Sequence, residues 1–272
     1  MVLSGRQMNK LFSPSHFTSD TYTPLSEARV SISHKAVGKL LLIVGGFLLL
    51  AQFSVMFLKY GLGKDYAFGL VPAFQLDGEM NVPSLTSSLL LFITALTAFF
   101  TAWALPGAQK HKRAWTIIGV VFVVLSFDET IRLHEQISVL MASIDPADAT
   151  SHIGWEVPYL AVIGVLGLYM LPWFLALDRG TQIRFAAAGI IYVFGAIGME
   201  HAATIYYAAI GTDRTMDATL TGQVFVTLEE VMEFSGVALF EYSMMRRLRG
   251  ISLSTGRQER ASSSPLSDLL RT

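Results

Sequence analysis

Six apolar stretches, each long enough to cross a bilayer, alternate with short polar connections along the chain. They fall at Lys39–Leu58, Ser84–Leu105, Ala114–Ile144, Val157–Leu177, Phe185–Ile210 and Ala218–Met245. A hydrocarbon core ~30 Å thick needs about 20 apolar residues in helical form, and every stretch meets that length. The third, fifth and sixth run longer and contain charges. The connections hold helix breakers, among them Pro106-Gly107, Asp178-Arg179-Gly180 and Gly211-Thr212-Asp213. The pattern predicts an all-α polytopic membrane bundle of six transmembrane helices.

Residues 1–38 are polar and rich in Ser and Thr, and no apolar run begins before Lys39. They read as a cytoplasmic segment rather than a secretory signal. Residues 39–245 form the expected transmembrane domain, with an aromatic, Gly-rich outer loop at 59–83 that folds over the outer face. Residues 246–272, Ser-rich and containing Pro265, read as a disordered cytoplasmic tail. Lys and Arg in the short loops set the orientation. Arg29, Lys35, Lys39, Lys110, Lys112, Arg113, Arg179, Arg184, Arg246, Arg247 and Arg249 fall on one side; Lys59, Lys64 and Arg214 fall on the other. The richer side faces the cytoplasm, giving an N-in/C-in topology in the cytoplasmic membrane. No internal repeat suggests the inverted halves common in transporters.

Composition agrees: 52% of the 272 residues are hydrophobic and 15% charged, with a mean hydropathy of +0.49. The net charge of −1 gives no footprint for nucleic acid. The absence of cysteine excludes disulfides, iron–sulfur clusters and thiolate metal sites. Any bound metal must be held by His, carboxylate or backbone oxygen.

Charge at depth changes the picture. At 1.5 Å rise per residue, Asp128 and Glu129 lie roughly 21–23 Å from the inner boundary, Glu200 and His201 roughly 22–24 Å, and Glu229, Glu230 and Glu233 roughly 18–24 Å. His134 and Glu135 fall about 8 Å further out. The loop acids Asp77 and Glu79 can approach from above. Three helices therefore bring acids to one level in the outer half of the bilayer. A single acid at mid-membrane costs about 2.5–3.5 kcal/mol, so Asp128, Glu129, Glu135, Glu200, Glu229, Glu230 and Glu233 together would cost on the order of 20 kcal/mol if left unpaired. Arg132 is the buried-level cation, able to bridge Asp128 and Glu135 on one helix face.

Three neutralisers compete. The first is a divalent or dinuclear metal site (iron, manganese or zinc), with Glu129, His134, Glu200, His201, Glu230 and Glu233 as ligands. Asp128, Arg132, Glu135 and Glu229 would then serve as outer partners or a proton relay. Glu230 and Glu233 share a helix face, but Glu129 and His134 stand ~140° apart round theirs and do not readily meet one ion. This reading leads to an oxidoreductase of the di-iron kind acting on a lipid-soluble substrate. The second neutraliser is a pool of shared protons in a proton- or cation-coupled transporter. The third is a structural polar network in an accessory subunit of a membrane complex or a homo-oligomer.

Plainer roles stand beside these. Asp128, Arg132 and Glu135 can form an ion ladder, and His134 can bond Thr130 one turn earlier. His152 and Glu156 belong at the solvated outer edge. A haem between His134 and His201 is disfavoured by their difference in depth, roughly 6 Å. Trp103, Trp115, Trp155 and Trp173 fall near helix ends, where interfacial belts place them. Gly189, Gly195, Ala196 and Gly198 allow close helix approach before Glu200.

Several motifs carry a family resemblance. Phe74-Gln75-Leu76-Asp77-Gly78-Glu79-Met80-Asn81-Val82-Pro83 leads into Ser87-Ser88-Leu89-Leu90. Leu125-Ser126-Phe127-Asp128-Glu129 precedes His134-Glu135, followed by Gly195-Ala196-Ile197-Gly198-Met199-Glu200 and by Glu229-Glu230-Val231-Met232-Glu233 with Gly236. Over roughly residues 74 to 245 the chain resembles a group of uncharacterised bacterial six-helix membrane proteins with the same acidic signatures in this order. The resemblance implies a bacterial inner membrane location and importance for the acids, and names no reaction. His201 lies outside the pattern, which leaves His134 the better candidate ligand.

Overall fold

A computed structural model describes residues 33–76, 78, 80–104, 109–144, 155–211 and 219–248. The N-terminal segment before Ser33 and the tail beyond Leu248 lie outside the described residues. So do Asp77, Glu79, Pro106, Gly107, His152, Thr212, Asp213 and Arg214. Among the described residues the chain is helical and contains no strand.

Helix α1 (His34–Met56) runs on into a wider π-helical turn at Phe57–Gly61. The chain then reverses through Ala67, Phe68 and Gly69, whose φ angles of 42°, 57° and 88° form a left-handed turn. A short helix α2 (Leu70–Phe74) follows and packs back on α1, with Phe74 edge-on to Phe47. This connection thus lies against the end of α1. Two polar clasps hold it: Leu76 N–H donates to Gln52 Oε1 at 3.1 Å, and Asn81 Nδ2 donates to Gln75 O at 2.7 Å. Asn81 also caps α3 (Val82–Ala104), accepting from Ser84 N at 3.0 Å.

Helix α4 (Gln109–Ile131) pairs with α3 along its length. Ser88 and Ser126 each donate to the other's carbonyl at 2.9 Å, the polar cross-link that apolar helices use in place of hydrophobic contrast. The expected long third helix, Ala114–Ile144, is broken. Arg132 takes a φ of 52°, ending α4 and starting α5 (Leu133–Ile144) in a new direction. Asp128 stabilises the break by accepting the His134 backbone N–H at 2.8 Å.

Helix α6 (Glu156–Leu175) ends in a turn capped by Asp178, whose Oδ1 accepts the Thr181 N–H at 2.9 Å and opens α7 (Arg179–Val193). A π-helical stretch, Phe194–Met199, joins α7 to α8 (Glu200–Ala209). Helix α9 (Leu220–Arg247) has 28 residues and packs against α1, α3 and α7. Thr219 caps it, accepting from Gly222 N and bonded to the Tyr207 hydroxyl at 2.8 Å.

Among the described residues, five helices are long and apolar enough to cross a membrane: His34–Gly61, Val82–Ala104, His111–Ile131, Glu156–Leu175 and Arg179–Ala209. α9 is longer than most of them, but it carries Glu229, Glu230, Glu233 and Glu241.

One core gathers Trp115, Trp173, Phe185 and Met244 with Phe122 and Phe240. Trp115 meets Trp173 edge-on at 5.2 Å, and Phe185 stacks on Phe240 at 4.3 Å. Trp115 and Trp173 are buried here rather than spread along an interfacial belt, because α4, α6, α7 and α9 need bulky side chains to fill the space between them. Trp103 is exposed.

Candidate acidic site in the bundle

The site begins with two glycines. A Cβ on Gly195 would lie 2.9 Å from Met232 Cβ, 3.0 Å from Glu229 O and 3.1 Å from Glu233 N. A Cβ on Gly236 would lie 2.8 Å from both Ala188 O and Tyr192 N. Helix α7 with the π-helical stretch that continues it, and α9, therefore touch backbone to backbone, which only residues without side chains permit. Of the small residues expected to do this, Gly195 does so. Gly189 faces open space, and Gly198 meets the Phe194 ring of its own helix.

This contact fixes the stretch of α9 that carries Glu229 and Glu233 against the segment just before Glu200, which opens α8. The acids with the strongest electrostatic hold on Glu233 are Glu229, Glu129, Asp128 and Glu200, in that order. Glu129 in turn feels Asp128 and His134. Tyr192, on α7, faces Glu233, Glu129, Asp128 and Glu230. Acids of α4, α8 and α9 thus all act electrostatically on Glu233. Among the described residues neither Glu129 nor Glu233 makes a hydrogen bond or an ion pair.

The nitrogen donors go elsewhere. His134 Nδ1 lies 3.1 Å from Asp128 Oδ1, not against Thr130, which bonds Ser88 and Ser126 instead. Trp155 stands between His134 and Glu200: its ring is 5.3 Å from the His134 ring, and its indole N–H donates to Glu200 Oε2 at 3.2 Å. Tyr159 packs edge-on to Trp155, with its hydroxyl close to Asp128. His201 is exposed, its Nδ1 3.8 Å from Glu156 Oε1. Arg132 pairs with Glu135 at the helix break, while Asp128 turns to His134, so the ladder is divided in two. Glu230 borders a groove between α1 and α9. Among the described residues no group of three or more His, Asp or Glu side chains is arranged to hold a metal ion.

Three polar features escaped the sequence reading. Glu156, expected at the solvated edge, is 7% exposed, with Oε2 buried and unbonded. Gln52 and Gln223 are buried and joined at 3.0 Å, with Thr227 bonded to the same Gln52 amide. Glu241, 1% exposed, accepts from Thr97 Oγ1 at 2.9 Å, and its Oε2 has no partner. The signal for Glu241 is the stripe Thr94, Thr97 and Thr101 on one face of α3, whose hydroxyls need partners in an apolar setting.

The family described as Domain of unknown function (DUF8692) matches residues 41–247, and the chain belongs to it. No curated protein and no solved structure matches the chain.

Proposed function

We propose that this member of the DUF8692 family is a six-span protein of a bacterial inner membrane, with α9 as its sixth span and both ends in the cytoplasm. We further propose that it is a proton-coupled transporter. Glu129, Glu200, Glu229 and Glu233 form its proton-exchanging site in the outer half of the bilayer, with Asp128 and His134 at its edge.

The observation that carries this reading is the surrounding of Glu233 by four acids, with no hydrogen bond or ion pair at Glu233 or Glu129 among the described residues. Like charges at such a site repel in a medium that screens them poorly, and a shared proton relieves the repulsion without help from a basic side chain. The metal reading needs His134, Glu200 and an α9 acid to meet on one ion. Trp155 separates the first two, and Asp128 engages His134. Glu241, bonded by Thr97, gives the other half of the bundle a buried polar group.

The test is proton flux into proteoliposomes that carry a trapped pH indicator, driven by an imposed pH step. Wild-type protein should dissipate the gradient faster than empty vesicles. Glu233→Gln should reduce the excess rate at least tenfold, and Glu135→Gln should leave it within twofold. Equal rates for wild type and Glu233→Gln would refute the reading.

A further inference from the structure

A groove of about 670 Å³ runs along one face of α1 where α9 leaves it uncovered. Its stripe on α1 is Lys35, Lys39, Leu42, Gly46 and Leu49, positions three or four apart that share a helix face. Leu42 is 79% exposed, so the groove opens toward the bilayer. The walls come from α9. Phe234 rests over Gly45, where a Cβ would come within 2.8 Å of its ring, and Tyr242 lies over Gly38. Gly46 has nothing within 4 Å of a built Cβ, and this leaves the floor open.

The stripe from Lys35 to Leu49 is roughly 21 Å long at the helical rise. Two lysines mark one end, and Glu230 with Leu76 marks the other. Between them the lining is almost wholly apolar, the usual make-up of a pocket that seats one long apolar ligand with a few polar groups to orient it. The charges fix the direction: an anionic head is drawn to Lys35 and Lys39 and repelled by Glu230. Basic positions where a transmembrane groove reaches the membrane surface are the setting in which acidic lipid headgroups are recognised.

We propose that this groove is a binding site for an anionic phospholipid, with its phosphate between Lys35 and Lys39 and one acyl chain lying over Gly46 against Phe234. The site is separate from the acidic cluster and does not depend on the proton reading.

Native mass spectrometry of the full chain, offered phosphatidylglycerol or phosphatidylcholine, tests it. Wild-type protein should retain phosphatidylglycerol preferentially. Lys35→Gln with Lys39→Gln should lower that preference about tenfold while an acyl chain still binds, the two lysines each contributing part of the attraction. Gly46→Leu, whose Cβ meets no heavy atom within 4 Å, should fill the floor and release either lipid. Equal retention of both lipids by wild type would overturn the proposal, as would full retention by Gly46→Leu. A Gly46→Leu variant that turns a dimer into a monomer with lipid unchanged would overturn it too, and would assign the groove to a second copy of the chain. Proton flux measured on the same preparations reports on the other site alone.

Discussion

Gly195 and Gly236 are reciprocal: each presents a bare Cα to the backbone of the other's helix, Gly195 to Glu229 and Glu233, Gly236 to Ala188 and Tyr192. The pair sets how near the acids of α9 come to Glu200. With a side chain at either position the helices would separate and the acids would part.

Substitution there should be costly in proportion to what it meets. Gly236→Ala places a methyl 2.8 Å from backbone atoms that cannot move aside and should lower stability by about 1–3 kcal/mol. Gly189→Ala, facing open space, should be neutral or stabilise by up to about 1 kcal/mol through helix propensity. Denaturant titration in detergent measures both.

Thr97 is the hydroxyl that holds Glu241 between α3 and α9. Thr97→Val keeps the shape and removes the donor, leaving a buried carboxyl with one bond fewer. The expected loss is about 1–3 kcal/mol, with Thr97→Ser retaining most of the stability. A neutral Thr97→Val in the same titration would show that Glu241 finds its partner elsewhere.

Asp128 has two tasks at the break in the third span: it accepts the backbone N–H of His134 and orients the His134 ring. Asp128→Ala should cost about 1–2 kcal/mol, as loss of a helix cap does. Hydrogen exchange should rise in α5 and stay unchanged in α1.

Asp178, at the head of α7 and outside the spans, gives a pH dependence with a definite sign. Hydrogen bonds from Thr181, with Arg247 and Arg184 nearby, hold its carboxyl below the ordinary value. A depressed carboxylate favours the fold at every pH above the unfolded-chain value of ~3.9, and that contribution disappears as pH falls through the lower folded value. Asp178→Ala should therefore be less stable than wild type by about 1 kcal/mol from pH 5 to 8, with the gap closing below about pH 4. A gap that widened on acidification would contradict the assignment.

The helical class and the membrane character were legible because apolar runs of spanning length leave few alternatives. The position of each acid along its helix was legible too, since it follows from residue count alone. Other features depend on what packs beside a residue. Nothing in Thr130-Ile131-Arg132-Leu133-His134 marks Arg132 as the residue that turns left-handed; the turn is supported by Asp128 and by the Glu135 pairing in space. Trp115 and Trp173 sit near helix ends in sequence yet fill the core, since end position does not say whether a neighbouring helix covers the ring. Trp155 shows the same limit at the site. Its ring lies against His134 and its indole N–H bonds Glu200, contacts that its position at a helix start does not announce.

The most direct measurement is the infrared spectrum of the reconstituted protein in the carboxylic-acid carbonyl region as pH is stepped. Wild type should show protonated-carboxyl bands that Glu129→Gln and Glu233→Gln each diminish, with no metal bound in stoichiometric amount. Bands unchanged by both substitutions, or a stoichiometric metal ion released by Glu233→Ala, would contradict a site built to hold protons.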